Sequence, residues 1–258
     1  MTGICKLCLN EKELRQSHII PEFMYQNIYD KDPKRFYTLN VHIESDEDSK
    51  RKIEQKGIRE YLLCADCESL LSKYESYSAE TIYAKNKGNK TYIVKAEQTP
   101  DQQYFSYNYA GFKYKEFRVF LLSLLWRVIV SKTFSTPDID ATEVERLRVA
   151  ILNEDPLDYD DFGCLIQAIM YKKGELAKGY ILEPFLTQNE NIKVLNFFID
   201  GFMYSFYLNS KEMTDKKKKV FLKQDGTMVM MGRIIFQDKG LLERIKRTFA
   251  FFKTTLGK

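Results

Sequence analysis

The sequence predicts an α+β protein in two parts, and three observations carry that expectation. Two Cys-x-x-Cys pairs, Cys5-Lys-Leu-Cys8 and Cys64-Ala-Asp-Cys67, enclose residues 9–63. Phe117, Phe120, Leu121, Leu124 and Val128 recur at helical spacing within residues 114–134. From Phe162 onwards the apolar and aromatic residues recur with period two, as strands do.

The cysteine pairs come first because they dictate the most chemistry. Each knuckle presents two thiolates from one tight turn, so Cys5, Cys8, Cys64 and Cys67 can close one tetrahedral site of four soft ligands, which is structural zinc chemistry. With four of five cysteines so paired, the chain is expected in a reducing, cytoplasmic compartment where thiols bind metal instead of oxidising. Cys164 stands alone in an apolar stretch and reads as a small buried hydrophobe.

In chain order, residues 1–10 read as a knuckle on a short hairpin. Pro21 is placed to open a helical turn over 22–29. Residues 35–43 alternate as a strand, 44–52 form a charged turn, and 53–63 form a second extended segment. From Asp66, Leu70, Leu71, Tyr74 and Tyr77 share a helical face. Hairpin, insert, strand pair and helix is the order of a treble-clef zinc module.

A strand follows over 91–96, then a loop near 98–112. This loop is the best boundary between a module of residues 1–97 and an α+β domain of residues 98–258. The helix 114–134 is apolar enough to be central. Thr142-Glu-Val-Glu145 resembles a capping box for a second helix, which Asp155-Pro156 ends. Segments 163–171, 179–186, 192–199, 202–208, 219–223 and 227–236, punctuated by Asp200-Gly201 and Asp225-Gly226, predict an antiparallel sheet. An amphipathic C-terminal helix over 241–256 carries Arg244, Lys246, Arg247 and Lys253.

Composition narrows the function classes. Hydrophobic residues at 44% and charged residues at 29%, with 12 Gly and 6 Pro, describe a globular chain and not a disordered one. The longest apolar run, Val119–Trp126 between Arg118 and Arg127, is far short of the roughly 20 residues of a membrane span, and no signal peptide is visible. A net charge of +4 leans towards nucleic acid without requiring it. Lys216–Lys219 reads as a solvated tip between strands unless it shares a face with Lys246, Arg247 and Lys253. No glycine-rich phosphate loop or Gly-x-Ser-x-Gly elbow is present, which argues against NTPases and common hydrolases.

The pattern Cys-x-x-Cys, Ser17-His18-Ile19-Ile20-Pro21, then Leu62-Leu63-Cys64-Ala65-Asp66-Cys67 resembles the zinc-stapled HNH endonucleases over residues 1–80. It also resembles uncharacterised bacterial HNH-like proteins found among mobile-element and phage-defence genes. The resemblance implies a ββα-metal fold and a metal-dependent endonuclease that cleaves DNA. His18 would be the general base, suited by an imidazole pKa of about 6.5. The family's closing histidine is Glu68 here, its asparagine is Arg59, and Ser17 stands where a metal ligand usually precedes the histidine. Glu68, with Glu60 or Glu22, would then hold a catalytic Mg²⁺ or Mn²⁺, while Arg59 contacts phosphate.

Two other readings stay open on the residues. One is a non-catalytic zinc module that binds nucleic acid or a partner protein. The other is a zinc staple for a C-terminal sheet that carries the function itself. Glu68 also suits a helix N-terminus for electrostatic reasons alone, and His42 reads as a surface or supporting residue.

Overall fold

A computed structural model of the chain describes residues 1–25, 28, 36–39, 51–54, 57–83, 91–98, 104–134, 139–172, 174–179, 181–189, 191–235, 240 and 242–243. The chain is α+β. Its N-terminal hairpin pairs β1 (Thr2–Ile4) with β2 (Glu11–His18), and β2 pairs in turn with β5 (Arg59–Cys64), giving a small sheet of order β1-β2-β5. Between them a single 3-10 turn, Glu22–Tyr25, follows Pro21, and β3 (Phe36–Leu39) pairs with β4 (Arg51–Glu54). Of the extended segment expected over 53–63, residues 53–54 lie in β4 and 59–63 in β5, and Gly57 sits at a φ of +71° just ahead of β5.

Helix α1 (Ala65–Tyr83) starts directly after Cys64 and packs on α2 (Tyr114–Val130). From Phe117 to Val128 every residue of α2 is buried, including Arg118, Ser123 and Arg127. A helix buried on all sides has to find partners inside the protein for each charge that it carries. Arg118 finds the carbonyls of Asp158, Asp161 and Phe162. Helix α3 (Ala141–Leu152) is capped by Asp140, which accepts from Thr142 N at 2.7 Å, so the cap lies two residues before the expected capping box.

The large sheet gathers β6 (Tyr92–Gln98), β7 (Tyr104–Ala110), β8 (Gly163–Lys172), β9 (Glu175–Leu176), β10 (Phe185–Asn189), β11 (Ile192–Ile199), β12 (Phe202–Tyr207) and β13 (Met228–Ile234). Its order is β10-β11-β12-β8-β13-β7-β6, with β9 on β8. All pairs are antiparallel except β13 with β8, which is parallel, so the purely antiparallel expectation needs that correction. The expected loop at 98–112 contains β7. A division after residue 97 would cut β6, which pairs with β7 in the large sheet.

One buried apolar cluster runs across that division, from Cys5 and Leu7 through Leu71, Phe120 and Trp126 to Phe197 and Phe206. Residues 219–223 make a turn and a bend instead of a strand, and the Phe221 ring packs against Gly163, where an added Cβ would come within 2.2 Å of it. The lysine run begins in a short helix, α4 (Asp215–Lys218), and Lys218 is buried with its Nζ 2.8 Å from Asp160. His42 and the helix expected over 241–256 fall on or extend into residues outside those described.

Candidate metal centre and the adjoining histidine face

The four cysteines of the two knuckles come together as the spacing requires. Their sulfurs all lie within 4.8 Å of one another, and Cys8 Sγ is 3.9 Å from Cys64 Sγ. Four thiolates at the Zn–S length of about 2.3 Å place neighbouring sulfurs about 3.8 Å apart, so the set fits a tetrahedral ion. The cluster could hold a metal ion such as zinc.

The backbone around it is arranged to support thiolates. Cys64 N–H donates to Cys5 Sγ at 3.3 Å. The first knuckle closes through Leu9 N–H to Cys5 O at 2.9 Å, with Leu9 in the left-handed region at φ 61°. Arg148 donates to Leu7 O at 2.5 Å, which brings a guanidinium beside the excess negative charge of four sulfurs. Burial and the neighbouring Cys64 and Cys5 sulfurs push the Cys67 thiol upward.

His18 ends β2 on the same small sheet. Its Nε2 lies 2.5 Å from Glu22 Oε2 and 2.9 Å from Arg59 Nε, and Arg59 Nη2 lies 3.8 Å from the same Glu22 oxygen. The three side chains are partly open to solvent, at 20%, 48% and 28% exposure. The ring is held from behind by Gly57, where an added Cβ would meet Tyr25 at 3.0 Å and His18 Cδ2 at 3.2 Å. Tyr25 in turn accepts from Ile58 N–H at 3.1 Å.

Arg127 supports the histidine from the second half of the chain. Its Nη1 donates to His18 O at 3.0 Å and pairs with Glu75 at 2.7 Å, and its Nε donates to Ser123 O at 3.3 Å. The sequence marked Arg127 only as the edge of an apolar run. Nothing local distinguishes a buried arginine at a helix C-terminus from a solvated one, although its neighbours Trp126 and Val128 are apolar on both sides.

Register decides which expected residues meet. In the β2–β5 ladder His18 faces Arg59 and Ser17 faces Glu60. Neighbouring side chains on a strand point to opposite faces, so Glu60 is turned away from His18. Glu60 instead accepts from Ser131 Oγ at 2.5 Å, Thr133 Oγ1 at 2.7 Å, and the Lys132 and Thr133 amides, tying β5 to the end of α2. Burial opposes its charge, but these hydrogen bonds win and hold the carboxyl below its ordinary range. The carboxylate at His18 is Glu22.

Ser17 is fully buried and accepts from Leu63 N–H at 3.0 Å, a structural use of the side chain. Glu68 sits in the first turn of α1 with Oε1 buried and without a hydrogen-bond partner. Among the described residues, no group of three or more metal-ligating side chains includes His18, Glu60 or Glu68. At His18 the described residues bring together the Glu22 carboxylate and the Arg59 guanidinium. No helix of the described residues is long and apolar enough to cross a membrane.

No family model matches the chain, and no curated protein or solved structure matches it.

Proposed function

We propose that the chain is a zinc-stapled nuclease whose phosphodiester-cleaving site is the His18–Glu22–Arg59 face. The observation that carries the reading is the 2.5 Å contact between His18 Nε2 and Glu22 with Arg59 alongside, partly open to solvent beside the four-cysteine frame. A general base, a carboxylate that orients it and a phosphate-binding cation are the parts that phosphodiester hydrolysis needs.

Three side chains share the roles. Glu22 lies 2.5 Å from Nε2, close enough to orient the ring, and Arg59 Nε–H is directed at the same nitrogen. His18 is the general base that takes a proton from the attacking water. The imidazolium formed in that step is stabilised by Glu22. Arg59 lies beside it to bind a non-bridging phosphate oxygen and the charge that grows there. Zinc on Cys5, Cys8, Cys64 and Cys67 is structural: it clamps the start of β2 to the junction of β5 and α1, and so fixes the two strands that present His18 and Arg59.

The test is cleavage of plasmid DNA, single-stranded DNA and RNA by wild type and His18→Ala, each with and without Mg²⁺ or Mn²⁺ and with zinc content measured. Loss of cutting in His18→Ala at unchanged zinc supports the reading. Equal cutting by both proteins, or none by either, contradicts it.

A further inference from the structure

We infer that Tyr61 stacks on an unpaired base of the strand whose phosphodiester lies at His18 and Arg59, so that the substrate is a single strand of nucleic acid. The inference rests on the nuclease reading of that face and adds to it the form of nucleic acid that the face accepts. In the β2–β5 ladder His18 faces Arg59 and Gln16 faces Tyr61. Side chains two positions apart on a strand share a face, so all four stand on one side of the small sheet, with Tyr61 about 6.6 Å along β5 from Arg59. The residues between them, Ser17 and Glu60, turn the other way, to Leu63 N–H and to the end of α2.

The ring of Tyr61 is available to a ligand. Tyr61 is 49% exposed, whereas Leu62 and Leu63 of the same strand are buried. Its hydroxyl accepts from Gln16 Nε2 at 3.4 Å, which steadies the far end of the ring without covering its face. The ring pairs found among the described residues, such as Phe117 with Phe120, lie in the core and do not include it. A tyrosine used for packing buries its ring. This one keeps the ring in solvent, one step along the strand from the phosphate contact. Every base has a π face, but it can present that face to a side chain beside a phosphate contact only when it is unstacked from its neighbours. Bases within a duplex are paired and stacked, so the ring finds no partner there. The ligand class is an unpaired stretch of nucleic acid, of either sugar.

The test uses the full-length, zinc-loaded protein and a fluorescein-labelled phosphorothioate oligothymidylate, which keeps its charges and resists hydrolysis, with binding read by fluorescence anisotropy. An abasic oligomer of the same length and backbone, and the duplex of the oligothymidylate with oligoadenylate, are the controls. Wild type is expected to bind the oligothymidylate more tightly than either control. Tyr61→Ala weakens binding of the oligothymidylate by about fivefold to a hundredfold, the loss of one stacked base, at unchanged zinc content. It leaves the abasic oligomer and the duplex bound as in wild type. Tyr61→Phe, which keeps the ring and loses the bond to Gln16, binds all three as wild type does.

Wild-type affinity for the oligothymidylate in Tyr61→Ala, an equal loss on the abasic oligomer, or no preference of wild type for the base-bearing single strand overturns the inference. The two readings fail separately. Affinity that depends on both Tyr61 and the bases, with no cutting of any substrate, removes the nuclease and leaves the stacking. Cutting that needs His18, with strand affinity indifferent to Tyr61, does the reverse.

Discussion

Replacing Arg127 with methionine tests how the second half of the chain holds the histidine. Arg127 is 2% exposed and connects three elements: α2 through Ser123 O, α1 through Glu75, and β2 through His18 O. Breaking a buried ion pair from one side costs about 3–5 kcal/mol, because the remaining charge stays behind unpaired. Glu75 is 23% exposed, so water recovers part of that loss, and the low end, about 3 kcal/mol, applies. At about 2–4 °C per kcal/mol for a chain of this size, the thermal midpoint falls by about 6–12 °C.

The assay is reversible denaturant unfolding of four proteins: wild type, Arg127→Met, Glu75→Gln and the double variant. The double variant should recover at least about 1 kcal/mol relative to additivity, since it no longer buries a lone carboxylate. A loss below about 1 kcal/mol in Arg127→Met, or strict additivity in the double variant, refutes the claim that this pair ties the helices to the histidine strand.

Further predictions follow from the frame and its surroundings. Cys64→Ser should lose stoichiometric zinc and unfold β5 from the knuckle, read by metal analysis and circular dichroism, and wild type should release its metal on acidification as thiolates take up protons. Leu9→Asn should raise stability by about 0.5–1 kcal/mol in denaturant titration, because Leu9 sits at φ 61° with its side chain exposed and asparagine tolerates that region. Asp161 is held below its ordinary range despite burial by Arg146 and Lys211. A depressed folded pKa adds stability above the unfolded value that is lost as pH falls through the folded one. Stability should therefore drop below about pH 4, the unfolded carboxylate range, and the drop should be shallower in Asp161→Asn.

The metal frame was legible because Cys-x-x-Cys spacing is a local constraint: each knuckle is one turn, and four thiolates suit one ion wherever the turns are brought together. The carboxylate at His18 was not legible. Choosing Glu22 over Glu60 needs the β2–β5 register, and an irregularity between Arg15 and Gln16 shifts that register, which no single strand discloses. Strand β7 did carry a signal, since Phe105, Tyr107 and Tyr109 alternate with Tyr104, Ser106 and Asn108, but neighbouring polar residues resemble a linker. Arg118 and Arg127 resemble the polar ends of an apolar run, and only the packing around α2 shows that both are inside it.

Cleavage per folded molecule by Glu22→Gln and Glu60→Gln, measured side by side at equal zinc content, tests the account most directly. Removing the partner of the general base should cost about a hundredfold in rate for Glu22→Gln, while Glu60→Gln loses stability and keeps wild-type turnover. A collapse of turnover in Glu60→Gln with Glu22→Gln unaffected would contradict the assignment of the His18–Glu22–Arg59 face.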